Sequence, residues 1–316
     1  MRSRTGIVAV AVAGLLTVSL PVQAQQPAGP APGETLSQSY RGSQSRNVEY
    51  QKVAPFKVFD NLYYVGIGSV AVWLIKTDAG LILVDSAQEP WVEHVIASIR
   101  KLGFDPKDIK YVLLSHGHLD HFGGAGRLQE ISGARIATMD EDWKLIEDAY
   151  KAKPNPNRPL GVPIERDMVI KEGDKITLGT TTLDVYKLSG HTAGSPSFRF
   201  TVLDNGKPYK AFIFGGPGPR NGVEGGTEFL NSIHRLQKEF SDIEAPIHVH
   251  SWLNSYPVPG GGAILEPSQK LATRKPGDPH PFVGNAAWKA WLVQAEKGAM
   301  QFVADAKAGK PAGPAN

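Results

Sequence analysis

The chain has 316 residues, of which 41% are hydrophobic and 21% are charged, with 34 basic residues against 31 acidic ones. Such a composition can form a sizeable hydrophobic core, and the nearly balanced charge argues against a nucleic-acid-binding surface. The chain contains no cysteine, which excludes disulfides, thiolate metal ligands, thiol nucleophiles and a lipid-modified cysteine. A metal ion would therefore be held by His, Asp or Glu.

Residues 1–24 have the layout of a secretory signal peptide. A basic start precedes an apolar run over residues 7–20, and Val22-Gln23-Ala24 is a small-x-small cleavage site. We predict cleavage after Ala24 and a periplasmic or secreted protein without a stable membrane anchor. The alternative is an uncleaved anchor, which is disfavoured because the apolar run is short for a membrane span and ends at Pro21.

Composition also predicts where the folded part begins and ends. Residues 25–33 and the last ten residues are rich in Pro, Gly and Ala, as flexible segments are. We predict a flexible N-terminal extension over residues 25–48, a folded domain over residues 49–304 and a disordered tail over residues 305–316.

Hydrophobic periodicity predicts strands and helices in two successive groups. The first group comprises hairpins over residues 56–65 and 70–85, a helix over 90–102, a strand over 109–114, a helix over 122–132, a strand over 134–137 and a helix over 140–151. The second group comprises strands over 175–178, 181–188, 196–203 and 210–214, a helix over 227–240, a strand over 247–250 and a helix over 286–304. Two β-rich halves that each end in helices predict an α/β fold, with two packed mixed β-sheets and helices on the outer faces.

A cluster of possible metal ligands follows the strand over residues 109–114. His116, His118, Asp120 and His121 fall within six residues. Imidazoles and a carboxylate at the end of a buried strand are typical of a metal site. His116 and His118 can reach one ion, and Asp120 and His121 point to a second ion nearby, an arrangement that hydrolytic enzymes use.

Two such sites need further ligands from elsewhere in the chain. His191 lies in a Gly-rich loop after a strand, where the backbone can bring it inward. His248 and His250 end the strand over residues 247–250, and the two-residue period of a strand places them on one face, so the sequence leaves both open. The remaining histidines have settings that favour packing or surface roles; they are His94, His234 and His280.

These motifs resemble the metallo-β-lactamase fold superfamily over roughly residues 56–256. The matching segments are His116-Gly117-His118-Leu119-Asp120-His121, Gly190-His191-Thr192 and the late His250. The resemblance implies an αββα sandwich with metals at the edge between its two sheets. Within the superfamily the chain is most similar to the di-zinc β-lactamases with one three-histidine site and one Asp-His-His site.

The resemblance also implies a role for each matching residue. The first zinc would be held by His116, His118 and His191, and the second by Asp120, His121 and His250. Asp120 would also be catalytic, because it would orient the attacking hydroxide. Asp85 matches a carboxylate that supports a ligand from behind.

One segment departs from the pattern of the superfamily. After the strand that ends at residue 214, its members usually carry Ala-Asp followed by Ser or Thr, whereas this chain has Gly215-Gly216-Pro217. The missing Asp bridges the metals in related thioesterases such as hydroxyacylglutathione hydrolase, and the missing Ser helps to hold the substrate carboxylate in the lactamases. Arg220 or Asn221 could substitute for that Ser.

The sequence thus predicts a secreted di-zinc hydrolase with a small-molecule substrate. The main expectation is hydrolysis of the β-lactam amide by a metal-bound hydroxide, an activity that confers antibiotic resistance. The alternatives are a hydrolase of the same fold acting on a lactone, ester or other cyclic amide, and a non-catalytic zinc-binding protein. A serine hydrolase is disfavoured because the chain has no Gly-x-Ser-x-Gly motif.

Overall fold

The computed structural model describes residues 33–156, 158–216, 218–250 and 264–310. The predicted signal peptide, the start of the predicted extension and the end of the predicted tail lie outside these ranges. Within them, no helix is both long enough and apolar enough to span a bilayer.

The first sheet has seven strands whose order in the sheet follows their order in the chain. They are β1 Phe56–Phe59, β2 Leu62–Tyr64, β3 Trp73–Lys76, β4 Leu81–Val84, β5 Ile109–Leu113, β6 Arg135–Thr138 and β7 Met168–Val169. Strands β1 to β4 form an antiparallel meander, and β4 to β7 pair in parallel. The carboxyl ends of β4, β5 and β6 therefore meet at one edge of the sheet.

The second sheet has five strands, in the order β12-β11-β10-β9-β8. They are β8 Lys175–Leu178, β9 Thr181–Lys187, β10 Pro196–Asp204, β11 Lys207–Phe214 and β12 Ala245–His248. Only the pair β11 and β12 is parallel. Both sheets are therefore mixed, as predicted.

Eight α-helices are present in the described ranges, and most of them cover the outer faces of the sheets. They are α1 Leu36–Arg41, α2 Val92–Lys101, α3 Leu119–Phe122, α4 Ala125–Ser132, α5 Asp140–Lys151, α6 Gly222–Glu239, α7 Leu265–Ala272 and α8 Asn285–Lys307. Helix α8 continues slightly beyond the predicted end of the domain.

The alternation of side chains along the strands explains the layering. On β3, Trp73 and Ile75 lie in the core between the sheets, whereas Leu74 lies in the core beneath α2 and α4. On β11, Ile213 faces the other sheet and Phe214 faces α6 and α8. Strands that are buried on both faces require helices outside each sheet, and the predicted αββα sandwich is confirmed.

Part of the segment that was predicted as a flexible extension forms helix α1. Helix α1 begins with a capping box in which the Thr35 and Gln38 side chains each accept a hydrogen bond from the other's backbone N–H. The backbone N–H and hydroxyl of Ser37 donate to Glu266 at the start of α7, and Tyr40 packs against Tyr50. These contacts bury one side of α1, which its polar composition had concealed.

Helix α6 begins at Gly222, whereas the hydrophobic period predicts a start at residue 227. The prediction begins too late because two glycines lie within the first turns of the helix. A Cβ on Gly225 would lie 2.1 Å from the Arg220 carbonyl oxygen, and one on Gly226 would lie 2.8 Å from Phe302 of α8. Close approach therefore requires glycine at positions where propensity alone disfavours a helix.

Candidate metal centre

The predicted ligands meet where the two sheets come together. The loop after β5 carries His116, His118, Asp120 and His121, the last two within α3. His191 lies in the loop between β9 and β10, and His250 follows β12. Three segments that are distant in sequence thus place imidazoles and a carboxylate at one edge of the sandwich.

The side chains form two groups that share one histidine. Ring nitrogens of His116, His118 and His191 lie within 4.8 Å of one another, and so do those of His116, His121 and His250. The Asp120 Oδ2 lies 3.7 Å from the His121 Nε2. The structure therefore brings all six predicted ligands together, with His116 between the two groups.

Hydrogen bonds from their Nδ1 atoms fix the orientation of three of the imidazoles. The His116 Nδ1 donates to the Gly215 carbonyl oxygen at 2.9 Å, and the His191 Nδ1 donates to the Gly218 carbonyl oxygen at 3.0 Å. The Nε2 atoms of His116 and His191 are buried and have no hydrogen-bond partner among the described residues. Because buried polar atoms are normally satisfied, two lone pairs that face the same space fit a cation there.

Asp85 orients the third of these imidazoles. Its Oδ2 accepts a hydrogen bond of 2.7 Å from the His121 Nδ1, and its Oδ1 accepts one of 2.8 Å from the Ser115 backbone N–H. Asp85 is fully buried and has a φ of 65°, a left-handed conformation that Asp tolerates better than most residues. The structure thus places Asp85 behind His121, where the sequence resemblance put a supporting carboxylate.

The distance between two ring nitrogens also fits a shared ion. The Nε2 atoms of His121 and His250 are 3.2 Å apart. Two nitrogens on one tetrahedral zinc, each about 2.0–2.1 Å from the ion, would lie about 3.3–3.4 Å apart. The donor set contains imidazoles and one carboxylate and no thiolate, which suits zinc.

Burial keeps most of these imidazoles neutral. Burial, followed by the neighbouring imidazoles, lowers the pKa of His116 well below its ordinary value, and burial likewise lowers the pKa of His191 and His250. For His121, burial acts against the charge, but Asp85 and Asp120 outweigh it and raise the pKa. Neutral imidazoles have the free lone pair that metal binding requires.

These shifts predict that the metal-free protein loses stability in acid. His116, His191, His248 and His250 are buried with lowered pKa values, and in the unfolded chain they would titrate near about 6.5. The unfolded state therefore binds more protons below that pH, and the free energy of unfolding falls as the pH drops from about 7.5 to 5.5. The raised pKa of His121 has the opposite effect on the free energy of unfolding, but it is one group against four. Denaturant unfolding of chelator-treated protein measures this, and a constant stability across the window would contradict it.

The structure separates His248 from His250, which the sequence could not. Strand β12 ends at His248, whose ring lies 6.3 Å from the Phe214 ring and 6.4 Å from the Trp291 ring, centroid to centroid, on the helix side of the second sheet. The chain then crosses to the first sheet, where Val70 pairs with His250. The His250 Nε2 lies 3.2 Å from the His121 Nε2, whereas His248 belongs to neither group of ring nitrogens, so the geometry favours His250 as the late ligand.

The other histidines lie away from the cluster. The His94 Nε2 bonds to the Val53 carbonyl oxygen, His234 pairs with Glu296, and His280 stacks on Phe59. Packing and surface roles account for all three, as expected.

A cavity of about 1060 Å³ opens over the cluster. His118, Asp120, His191 and His250 line its floor, and arginines line its walls; they are Arg41, Arg46, Arg158 and Arg220. The Arg41 Nη1 lies 3.9 Å from the Asp120 Oδ2. Sequence reasoning missed Arg41 because it missed α1, although the capping pattern Thr35-x-x-Gln38 would have indicated that helix.

Position 216 has no room for a side chain. A Cβ on Gly216 would lie 2.5 Å from the Ser195 Oγ and 2.8 Å from the His191 Cβ. A carboxylate at this position would displace the His191 loop. Pro217 lies outside the described residues.

Comparisons with known proteins identify a matching family model and a similar solved structure. A model of the metallo-beta-lactamase superfamily matches residues 65–202. The structure of BJP-1, a subclass B3 metallo-beta-lactamase of Bradyrhizobium japonicum, is similar with a TM-score of 0.71 and 27% identity, over 84% of this chain and 99% of that one.

Two curated relatives match over shorter stretches. A hydroxyacylglutathione hydrolase of Jannaschia sp. is 34% identical over 28% of this chain and 28% of its own length. A UPF0173 metal-dependent hydrolase of Anaeromyxobacter dehalogenans is 25% identical over 55% of this chain and 59% of its own length. The chain thus spans less than two thirds of the length of either relative.

Proposed function

We propose that the chain is a di-zinc enzyme that cleaves the amide bond of β-lactams. The match of residues 65–202 to the metallo-β-lactamase superfamily and the similarity to a metal-dependent hydrolase support this proposal. One observation carries the proposal: two groups of histidine ring nitrogens lie at an open cavity whose floor is lined by His118, His191 and His250. His116, His118 and His191 would hold one zinc, and Asp120, His121 and His250 the other. Bound zinc would supply Lewis acidity and activate a water at neutral pH.

Asp120 is the residue positioned to accept a hydrogen bond from the attacking water and to take up its proton. Burial acts against its charge, but the nearby His121 and Arg41 outweigh this and lower the pKa of Asp120. Its carboxylate is therefore ionised near neutral pH and can accept a hydrogen bond from a water above the floor of the cavity. The same bond would fix the direction of the water's lone pair toward a substrate carbonyl.

Arg220 supports a substrate that carries a carboxylate. Its Nε is buried and has no hydrogen-bond partner among the described residues, and its backbone N–H donates to the Gly190 carbonyl oxygen at 2.9 Å. The guanidinium is thus held next to the His191 loop, and its Nε–H is available to donate a hydrogen bond to a substrate. Cephalosporins carry a carboxylate beside the β-lactam nitrogen, and a guanidinium binds a carboxylate through paired hydrogen bonds.

Gly216 argues against a thioesterase of the hydroxyacylglutathione hydrolase kind. Those enzymes place a metal-bridging Asp at the matching position, and here even a Cβ would approach Ser195 and His191 too closely. The second candidate is hydrolysis of a neutral lactone or ester, and it is favoured by the absence of any polar side chain at Gly215 and Gly216.

The test compares two substrates on zinc-loaded protein. We expect a chromogenic cephalosporin to be hydrolysed with a higher kcat/KM than a neutral lactone, and both rates to vanish after chelation. A lactone rate well above the cephalosporin rate would favour the second candidate, and zinc-loaded protein inactive on both would contradict the substrate class.

Replacement of Arg220 by Ala should selectively weaken binding of anionic substrates. A charged hydrogen-bond pair contributes about 1.5–3 kcal/mol, so we expect KM for the cephalosporin to rise about 10- to 100-fold with little change for a neutral lactone. Steady-state kinetics measures this effect, and Arg158→Ala is the matched control on the cavity wall. An unchanged KM in Arg220→Ala would contradict the assignment.

A further inference from the structure

Asp142 joins the two loops that carry the ligands of the first proposed site. It lies in the first turn of α5 and is 0% exposed. Its Oδ1 accepts a hydrogen bond of 2.9 Å from the Gly117 N–H, and its Oδ2 accepts one of 2.8 Å from the Ser195 N–H. Gly117 lies between His116 and His118, so a single carboxylate holds backbone from both sheets.

Both loops close tightly on this carboxylate. A Cβ on Gly194 would lie 2.0 Å from the Asp142 Oδ2, and one on Gly117 would lie 2.7 Å from the Asp142 carbonyl oxygen. Ser195 has a φ of 47°, which is unfavourable for a residue other than glycine. Such a conformation persists only when its surroundings impose it, and the bond to Asp142 is one of those constraints.

The His118 ring depends on its backbone for orientation more than its neighbours do. The rings of His116 and His191 bond to carbonyl oxygens, whereas the His118 ring makes no hydrogen bond with another described residue. Its backbone is fixed on one side by the Gly117 bond to Asp142 and on the other by the His121 N–H, which donates to the His118 carbonyl oxygen at 2.9 Å. Loss of the first bond would free His118 to turn.

We propose that Asp142 is the positioning residue of the first metal site: it ties the His118 and His191 loops together and thereby sets the zinc affinity of that site. The inference rests on the proposed di-zinc function. Asp142 is not one of the proposed ligands, and it acts through the backbone of Gly117 and Ser195 and through a hydrogen bond with the Thr192 side chain.

The test is Asp142→Asn, with Asp167→Asn as the matched control. An amide can accept from only one of the two N–H groups and turns its own NH₂ toward the other. Asp167 also accepts a backbone N–H bond, of 2.8 Å from Ile136, but lies at the far end of β6. We titrate each metal-free variant with zinc in competition with a chelator, and we record the cobalt(II) spectrum as a second readout.

We expect Asp142→Asn to bind one of its two zinc equivalents about 10- to 100-fold more weakly, with an altered cobalt spectrum, while Asp167→Asn matches the wild type. Folded Asp142→Asn with both affinities unchanged would overturn the inference but leave the proposed function intact. Wild-type protein that binds no zinc would instead contradict the proposed function itself. If Asp142→Asn does not fold, Gly194→Ala decides, because its Cβ would displace the same carboxylate from the other loop.

Discussion

Replacement of His116 by Ala is expected to remove the first zinc equivalent and almost all hydrolysis. His116 is a proposed ligand of that zinc, and its Nε2 is buried and lies close to ring nitrogens of His118 and His191. Loss of this metal removes several kcal/mol of transition-state stabilisation, so kcat/KM should fall about 10³- to 10⁴-fold or more. Zinc analysis and steady-state kinetics on the same preparation measure both effects.

The control for this variant is His94→Ala. His94 lies on α2 and is also partly buried. Its Nε2 bonds to the Val53 carbonyl oxygen, away from the cluster. It should keep two zincs and its activity. If His116→Ala retained both zincs tightly bound, the assignment of His116 as a ligand would be refuted.

Replacement of His250 and of His248 by Ala should have opposite effects on metal content and stability. His250→Ala removes a proposed ligand, so it should lose one zinc and most activity. His248→Ala should keep both zincs but lower the free energy of unfolding by about 2–4 kcal/mol, because it leaves a cavity beside Phe214 and Trp291.

Zinc analysis and denaturant unfolding of both variants make the comparison. The reverse pattern, with zinc lost from His248→Ala and retained by His250→Ala, would show that the late ligand has been misassigned.

Much of the fold was predictable because its signals are local. The strand before His116 is an apolar run, and the alternation that places Trp73 and Leu74 on opposite faces of β3 follows from strand geometry. The cluster from His116 to His121 needs only one loop to bring its residues together. These features depend on neighbours in sequence, so the sequence alone indicates them.

The rest depends on where the chain goes between distant elements. His250 joins the cluster because the chain runs on from β12 to pair with Val70, which no local period encodes. Arg41 reaches Asp120 only because α1 packs against α7. Asp142 reads in sequence as an ordinary acidic residue at a helix start, and its role emerges only when two loops converge on it.

The central claim is that this chain holds a dinuclear zinc site in which His116, His118 and His191 bind one ion and Asp120, His121 and His250 bind the other. The most direct measurement is the zinc content per chain of wild-type protein after dialysis against metal-free buffer. The proposed site predicts two equivalents, because each group offers a complete set of three protein ligands. One equivalent or less would contradict it.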